Sequence, residues 1–186
     1  DDGDAPPAVG DAFERAVRGM SQQRGGNTQF GCLLLLVPLV RAAATGRLSS
    51  GSVAAVVDAT TVDDAVAFYR AFDHVDVAVA DPPADWDALD VRRGAAAVPA
   101  VRERDLTLAD VMERSADRDG NASEWTTGFE RTFAAADRIR GDEGPVTDRI
   151  ARVFLDLLAE RPDTLVAVQH GAERARAGSR RAAAGR

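Results

Sequence analysis

Apolar residues recur along this chain at the three- and four-residue spacing of one helix face, and almost nowhere at the two-residue spacing of a strand. Phe13, Val17 and Met20 form the first stripe. Val62, Ala65, Val66, Tyr69 and Phe72 form the second, behind Thr60 and Thr61 as caps and with Asp63 and Asp64 where a first helical turn favours negative charge. A third stripe, Trp125, Phe129, Phe133 and Ala136, follows Asn121 and Ser123 as cap candidates. The fourth, Val146, Ile150, Val153, Phe154, Leu157 and Leu158, starts behind Gly144-Pro145 and stops before Pro162. Shorter helices are predicted for Ser52 to Asp58 and, behind Thr107, for Leu108 to Ala116.

One segment departs from these stripes. From Phe30 to Val40 the only side chain that is not hydrocarbon or proline, Gly31 apart, is the thiol of Cys32, so the pattern predicts a helix that is apolar all round and surrounded by other elements. A central helix over residues 28–45 is the expectation, with Cys32 as a buried thiol. It is too short to cross a bilayer, which takes roughly 20 residues. Pro38 has no amide hydrogen, which predicts a kink and a free carbonyl at Leu34.

Between Asp73 and Arg104 the helical pattern fails and Asp, Pro and Gly accumulate. Val75, Val77 and Val79 alternate, but a lone strand has no partner elsewhere in the sequence, so an extended loop is expected. No period of 20 to 50 residues repeats. The fold class read from the pattern is therefore all-α: a single-domain helical bundle around a buried central helix, with a long irregular loop in the middle. Residues 1–186 form the domain, 1–10 are an acidic N-terminal extension, and 175–186, rich in Ala, Arg and Gly, are a tail expected to fray.

Composition narrows the setting more than the function. The chain has no lysine, its 23 basic residues are all arginine, and 30 acidic residues give a net charge of -7. This is the balance of a protein adapted to a salt-rich cytoplasm, where a Debye length of about 3 Å at 1 M salt weakens attraction to nucleic acid or anionic lipid. No nucleic-acid or membrane partner is expected. One cysteine permits no internal disulfide, and no signal or lipidation motif is recognisable.

The apolar run is joined to a small polar turn, Gly25-Gly26-Asn27-Thr28-Gln29-Phe30-Gly31. The glycines allow a sharp turn and close approach to a ligand or another segment, and the backbone amides of a helix start favour an anion, with Arg24 adjacent. Asn27 or Thr28 can equally be a plain cap. The turn resembles the G-x-N-T-x-x-G motif of the triphosphoribosyl-dephospho-CoA synthase family, whose bacterial members read G-x-N-T-H-K-G. Here the His and Lys positions hold Gln29 and Phe30. A second resemblance lies downstream, where Arg161-Pro162-Asp163-Thr164 followed by Gln169-His170-Gly171 is similar to the family's Pro-Asp-Thr-Asn and its basic, Gly-containing turn. The family's N-terminal Pro-Gly segment and Asn/Asp/His-rich stretch have no counterpart here, which leads us to expect that an N-terminal part of the family domain is missing.

The resemblance implies a transferase that moves the triphosphoribosyl group of ATP to the 2′-hydroxyl of dephospho-CoA, or a related acceptor, with release of adenine. ATP and dephospho-CoA are the implied substrates and Mg²⁺ the implied companion of the triphosphate, with no particular metal ligand singled out. Cleaving an N-glycosidic bond through an oxocarbenium-like transition state asks for cover of the triphosphate, a carboxylate near the ribose and a proton for the leaving base. Arg24, Gly25, Gly26, Asn27, Thr28, Gln29 and Gly31 are the candidates for the first, Asp163 for the second and His170 for the third. Asp73, Asp76, Asp81 and His74 rank behind them, and Arg92-Arg93-Gly94 is a faint echo of a family element. The alternative is a non-catalytic helical module that binds a nucleotide or a protein. Oligomeric state is open on this reading.

Overall fold

The structure is a computed structural model in which residues 7–21, 29–82 and 85–185 are described. It is all-α: among the described residues there is no strand, and eleven α-helices follow one another. Helix α1 (Val9–Ser21) lies along α4 (Val62–Ala71), and α2 (Phe30–Ala44) packs on α1 and on α3 (Ser50–Asp58). The chain then passes through a 3-10 turn, an extended stretch and two further 3-10 turns to α5 (Val98–Glu103) and α6 (Leu108–Ser115). Next come α7 (Gly120–Thr126), α8 (Glu130–Gly141), α9 (Val146–Glu160), α10 (Thr164–His170) and α11 (Ala172–Ala184).

Local signals act as the sequence predicts in several places. Thr61 and Thr107 each begin a helix with a reciprocal capping box, to Asp64 and Asp110 respectively. Asp64 does more than cap. Its Oδ2 accepts from Thr61 while Oδ1 accepts the amide of Gly10 at 2.7 Å, so one buried carboxylate ties α4 to the start of α1. A Cβ at Gly10 would lie 2.4 Å from the Asp64 carbonyl oxygen, which leaves glycine as the residue that fits this helix crossing. Val9 and Gly10 are thus core, not part of an extension. Around them Phe13 meets Phe30 edge-on at 5.0 Å and stacks on Phe68 at 5.8 Å, while Phe30 and Phe72 lie 4.7 Å apart.

Other expectations are corrected. Helix α2 is not surrounded: Leu34, Pro38 and Ala42 face the core, while Cys32, Leu36 and Val40, one turn apart on the opposite face, are exposed. A uniformly apolar sequence carries no periodic signal that separates buried from open faces, so the pattern could not reveal this. The stripe from Trp125 to Ala136 is two helices, broken where Gly128 and Phe129 both take φ of 62°. Asp119, not Asn121 or Ser123, caps α7 by accepting the amide of Ala122. The irregular stretch is shorter than expected, because residues 91–97 form 3-10 turns and α5 follows at once, with Pro99 in its first turn. Gly94, at φ 52°, leaves room for Asp73, whose carboxylate accepts the amide of Ala95. In place of a fraying tail, α11 packs on α9 with Ala175, Ser179 and Ala182 buried.

Candidate active site

A cavity of about 990 Å³ opens between the first turn of α2 and the α9–α10 pair, with α7 lying between them. Its position follows from one predicted defect. Pro38 cannot donate to the carbonyl of Leu34, and the indole Nε1 of Trp125 donates to that oxygen instead, at 3.2 Å. This bond fixes α7 across α2. One turn earlier on α7, Asn121 therefore falls over Gly31, where a Cβ would lie 2.5 Å from the Asn121 Nδ2. The motif glycine makes room for another segment of the protein, a carboxamide that itself lines the cavity.

The far wall is set by a second junction. The amide of Gly120, at the start of α7, donates to the Thr164 hydroxyl at 3.3 Å, so the beginnings of α7 and α10 meet at the cavity. Each carries a capping carboxylate: Asp119 Oδ1 accepts from Ala122 and Asp163 Oδ1 from Val166, both at 2.9 Å. Arg118 and Arg161 bracket them on the same wall. Arg161 donates to Ser123 at 3.3 Å and Arg118 to the carbonyl of Asp81 at 3.3 Å. The roof is the extended stretch 76–82, held by Arg118 and by Arg92, whose guanidinium bridges Asp81 and Asp90. Hydrogen bonding to Arg92 holds the Asp90 carboxyl below its usual range, so this clasp stays charged in mild acid.

Deeper in, Glu124 is buried, with Oε2 accepting from the amide and the hydroxyl of Thr132 at 2.9 and 2.6 Å. The Tyr69 hydroxyl donates to the carbonyl of Leu89 at 2.8 Å, and burial pushes its pKa well above the ordinary phenol value, so it remains a neutral donor. Arg114 stacks over Trp86 at 5.1 Å. The buried floor of the cavity is thus mainly apolar, with Glu124 its one buried charge among the described residues, while two arginines, two carboxylates and a carboxamide gather where α7 and α10 begin.

The expected site residues fall in different places. Arg24, Gly25, Gly26, Asn27 and Thr28 lie outside the described residues, and Gln29 is exposed at the start of α2 with no side-chain cap bond. Gly31 and Asp163 line the cavity. His170, exposed at the last residue of α10, does not, although Gln169 does. Seven residue steps separate Asp163 from His170 at the other end of α10, about 10 Å at 1.5 Å per residue, so the two do not share a proton. His74 is a partner of Glu14 at 3.4 Å on another face, Asp73 serves the Gly94 turn, and Asp76 and Asp81 belong to the roof. Phe30, which stands where the bacterial motif has lysine, is an aromatic core residue. Asn121, Arg118 and Asp119 were not legible as site residues in the sequence, and Arg161 enters there only as the first residue of the second motif. The run Arg118-Asp119-Gly120-Asn121 reads as an ordinary polar turn before a helix.

No group of three or more His, Cys, Asp or Glu side chains suited to a metal ion occurs among the described residues. Nor is any helix among them long and apolar enough to cross a membrane.

Three comparisons bear on this arrangement. Residues 2–185 match a protein-family model described as ATP:dephospho-CoA triphosphoribosyl transferase. The fold is shared with the crystal structure of a provisionally assigned triphosphoribosyl-dephospho-CoA synthase from Archaeoglobus fulgidus, at a TM-score of 0.74 and 21% identity, over 96% of this chain and 72% of that one. No curated protein matches the chain.

Proposed function

Because this chain belongs to the ATP:dephospho-CoA triphosphoribosyl transferase family, we propose that its transfer reaction takes place in the cavity between α2, α7 and α10. It is a transferase whose substrates are ATP and dephospho-CoA. The observation that carries the location is the gathering of Gly31, Asn121 and Asp163, from three distant stretches of sequence, around one cavity with Arg118 and Arg161. A volume of about 990 Å³ stands at the upper end of ordinary ligand pockets, which suits a nucleotide substrate.

In this reading the turn from Arg24 through Asn27 and Thr28 to Gly31 covers the triphosphate with backbone amides, and Arg118 or Arg161 adds positive charge. The C1′–N bond of ATP breaks, adenine departs with a proton, and the 2′-hydroxyl of the acceptor forms the new C1′–O bond as it loses its own. Asp163, with one oxygen engaged in capping, turns the other to the electron-poor ribose. The Asn121 carboxamide binds a substrate oxygen. His170 takes no step, since it lies off the cavity wall. Mg²⁺ is commonly held by one or two carboxylates together with substrate phosphates, and Asp119, on the cavity lining, is the carboxylate left to supply one ligand; bound there, the ion would neutralise triphosphate charge. The lysine-free, acidic composition supports a salt-rich cytoplasm as the place of action.

The test is incubation of the full chain with ATP, MgCl₂ and dephospho-CoA in concentrated KCl, following free adenine and the mass of the acceptor. Adenine release matched by a gain of one triphosphoribosyl unit supports the reading. Bound ATP that yields no adenine would refute it.

A further inference from the structure

Polar groups where α7 and α10 begin account for a nucleotide, but not for the open apolar side of the cavity beside them. There the walls are Cys32 and Leu35 of α2 on one side and Phe154, Leu158, Leu165 and Val168 of α9 and α10 on the other. Phe154 is 60% exposed and Leu165 51%, large apolar side chains left open to water at the entrance of a site. From Phe154 the open stripe continues along α9 through Ile150 to Val146, two turns or about 12 Å away from the cavity. An exposed apolar strip continuous with a binding site is a place where part of a ligand leaves water.

Resting on the family reaction, we infer that this mouth is the subsite for the pantetheine arm of the acceptor. Dephospho-CoA is ADP extended by a long, thin arm that carries gem-dimethyl and methylene groups. Its adenosine must enter the polar end, because the hydroxyl that receives the triphosphoribosyl group is on the ribose, beside the donor. The arm, attached at the 5′-diphosphate, is left to run outward between α2 and α9. ATP has no such arm, so the apolar side distinguishes acceptor from donor: both can present adenosine to the polar groups, and one of them gains by covering Phe154 and Leu165. The two substrates are thereby sorted by their tails.

Calorimetric titration of the full chain with dephospho-CoA and with ADP, its arm-less counterpart, tests this. Burying the open part of one large apolar side chain is worth about tenfold in affinity. Phe154→Ser and Leu165→Ser should each weaken dephospho-CoA by about that factor and leave ADP unchanged. Val146→Ser, equally open but off the cavity, should change neither. Equal losses for both ligands, or no loss for dephospho-CoA, would overturn the assignment. So would a change in particle mass with acceptor affinity intact, which would mean that a second copy covers the stripe. Adenine release by the unaltered protein reports on the reaction alone, so the transfer can stand while the arm subsite falls.

Discussion

Replacing Gly31 by alanine separates a site from a scaffold. The new Cβ would lie 2.5 Å from the Asn121 Nδ2 and 3.6 Å from its Cγ. Non-bonded heavy atoms settle near 3.5 Å, so the carboxamide must retreat by about 1 Å. It is the far end of a side chain and can do so without moving the backbone. The retreat costs about 0.5–1.5 kcal/mol if it forces an off-rotamer angle, whereas alanine in place of glycine within a helix returns about 0.5–1 kcal/mol. Net stability should change by less than about 1 kcal/mol, a shift in Tm of no more than roughly 2–4 °C for a chain of this length. Turnover should fall far more, since misplacing a positioning group by about 1 Å can cost on the order of 100-fold. Melting by differential scanning fluorimetry and kcat/KM from adenine release are measured on Gly31→Ala, Asn121→Ala and the double variant. If Gly31 matters because of Asn121, the double variant is no worse than Asn121→Ala. Losses that multiply, or a Gly31→Ala protein that melts much lower, would refute the steric reasoning.

Three further outcomes are expected. Gly10→Ala should lower Tm by several degrees, because its Cβ would meet the Asp64 backbone, which cannot yield, while activity per folded molecule at permissive temperature is kept. Asn27→Ala should reduce turnover much more than stability; a loss of about 1 kcal/mol in stability with normal turnover would make Asn27 a cap only. Asp110→Asn tests acid linkage: hydrogen bonding to Thr107 depresses the Asp110 pKa in the folded protein below the ordinary 3.8. The carboxylate therefore contributes stability that is full above about pH 4 and lost as pH falls through the lower folded value. The stability gap between wild type and Asp110→Asn, from urea melts across pH 2–6, should be constant at the upper end and shrink below pH 4.

What could be read along the chain was what neighbouring residues decide among themselves. Thr61 with Asp64 and Thr107 with Asp110 are contacts three residues apart, and the stripes at Phe13 and Val146 report one helix face. The free carbonyl at Leu34 also follows from Pro38 alone. Its partner does not: Trp125 lies 91 residues away, and only folding brings the indole there. The same distance hid Asn121, which looks like a cap until Trp125 pins α7 over Gly31. Asp163 was found through its motif, which opens at Arg161, while Arg118 and Asp119 have no local signature, since polar residues at helix starts are common.

The sequence by itself settled that this chain folds as helices and where most of them start. Tertiary structure settled which side of each helix is inside. It left one face of α2 open despite an unbroken apolar sequence, split the Trp125 stripe at Gly128, and held the Ala- and Arg-rich end as α11 against α9. It also assembled the cavity. Hydrogen bonds and apolar stripes three or four residues apart are encoded where they occur, whereas a cavity wall is made of side chains whose only relation is that the packed helices put them side by side.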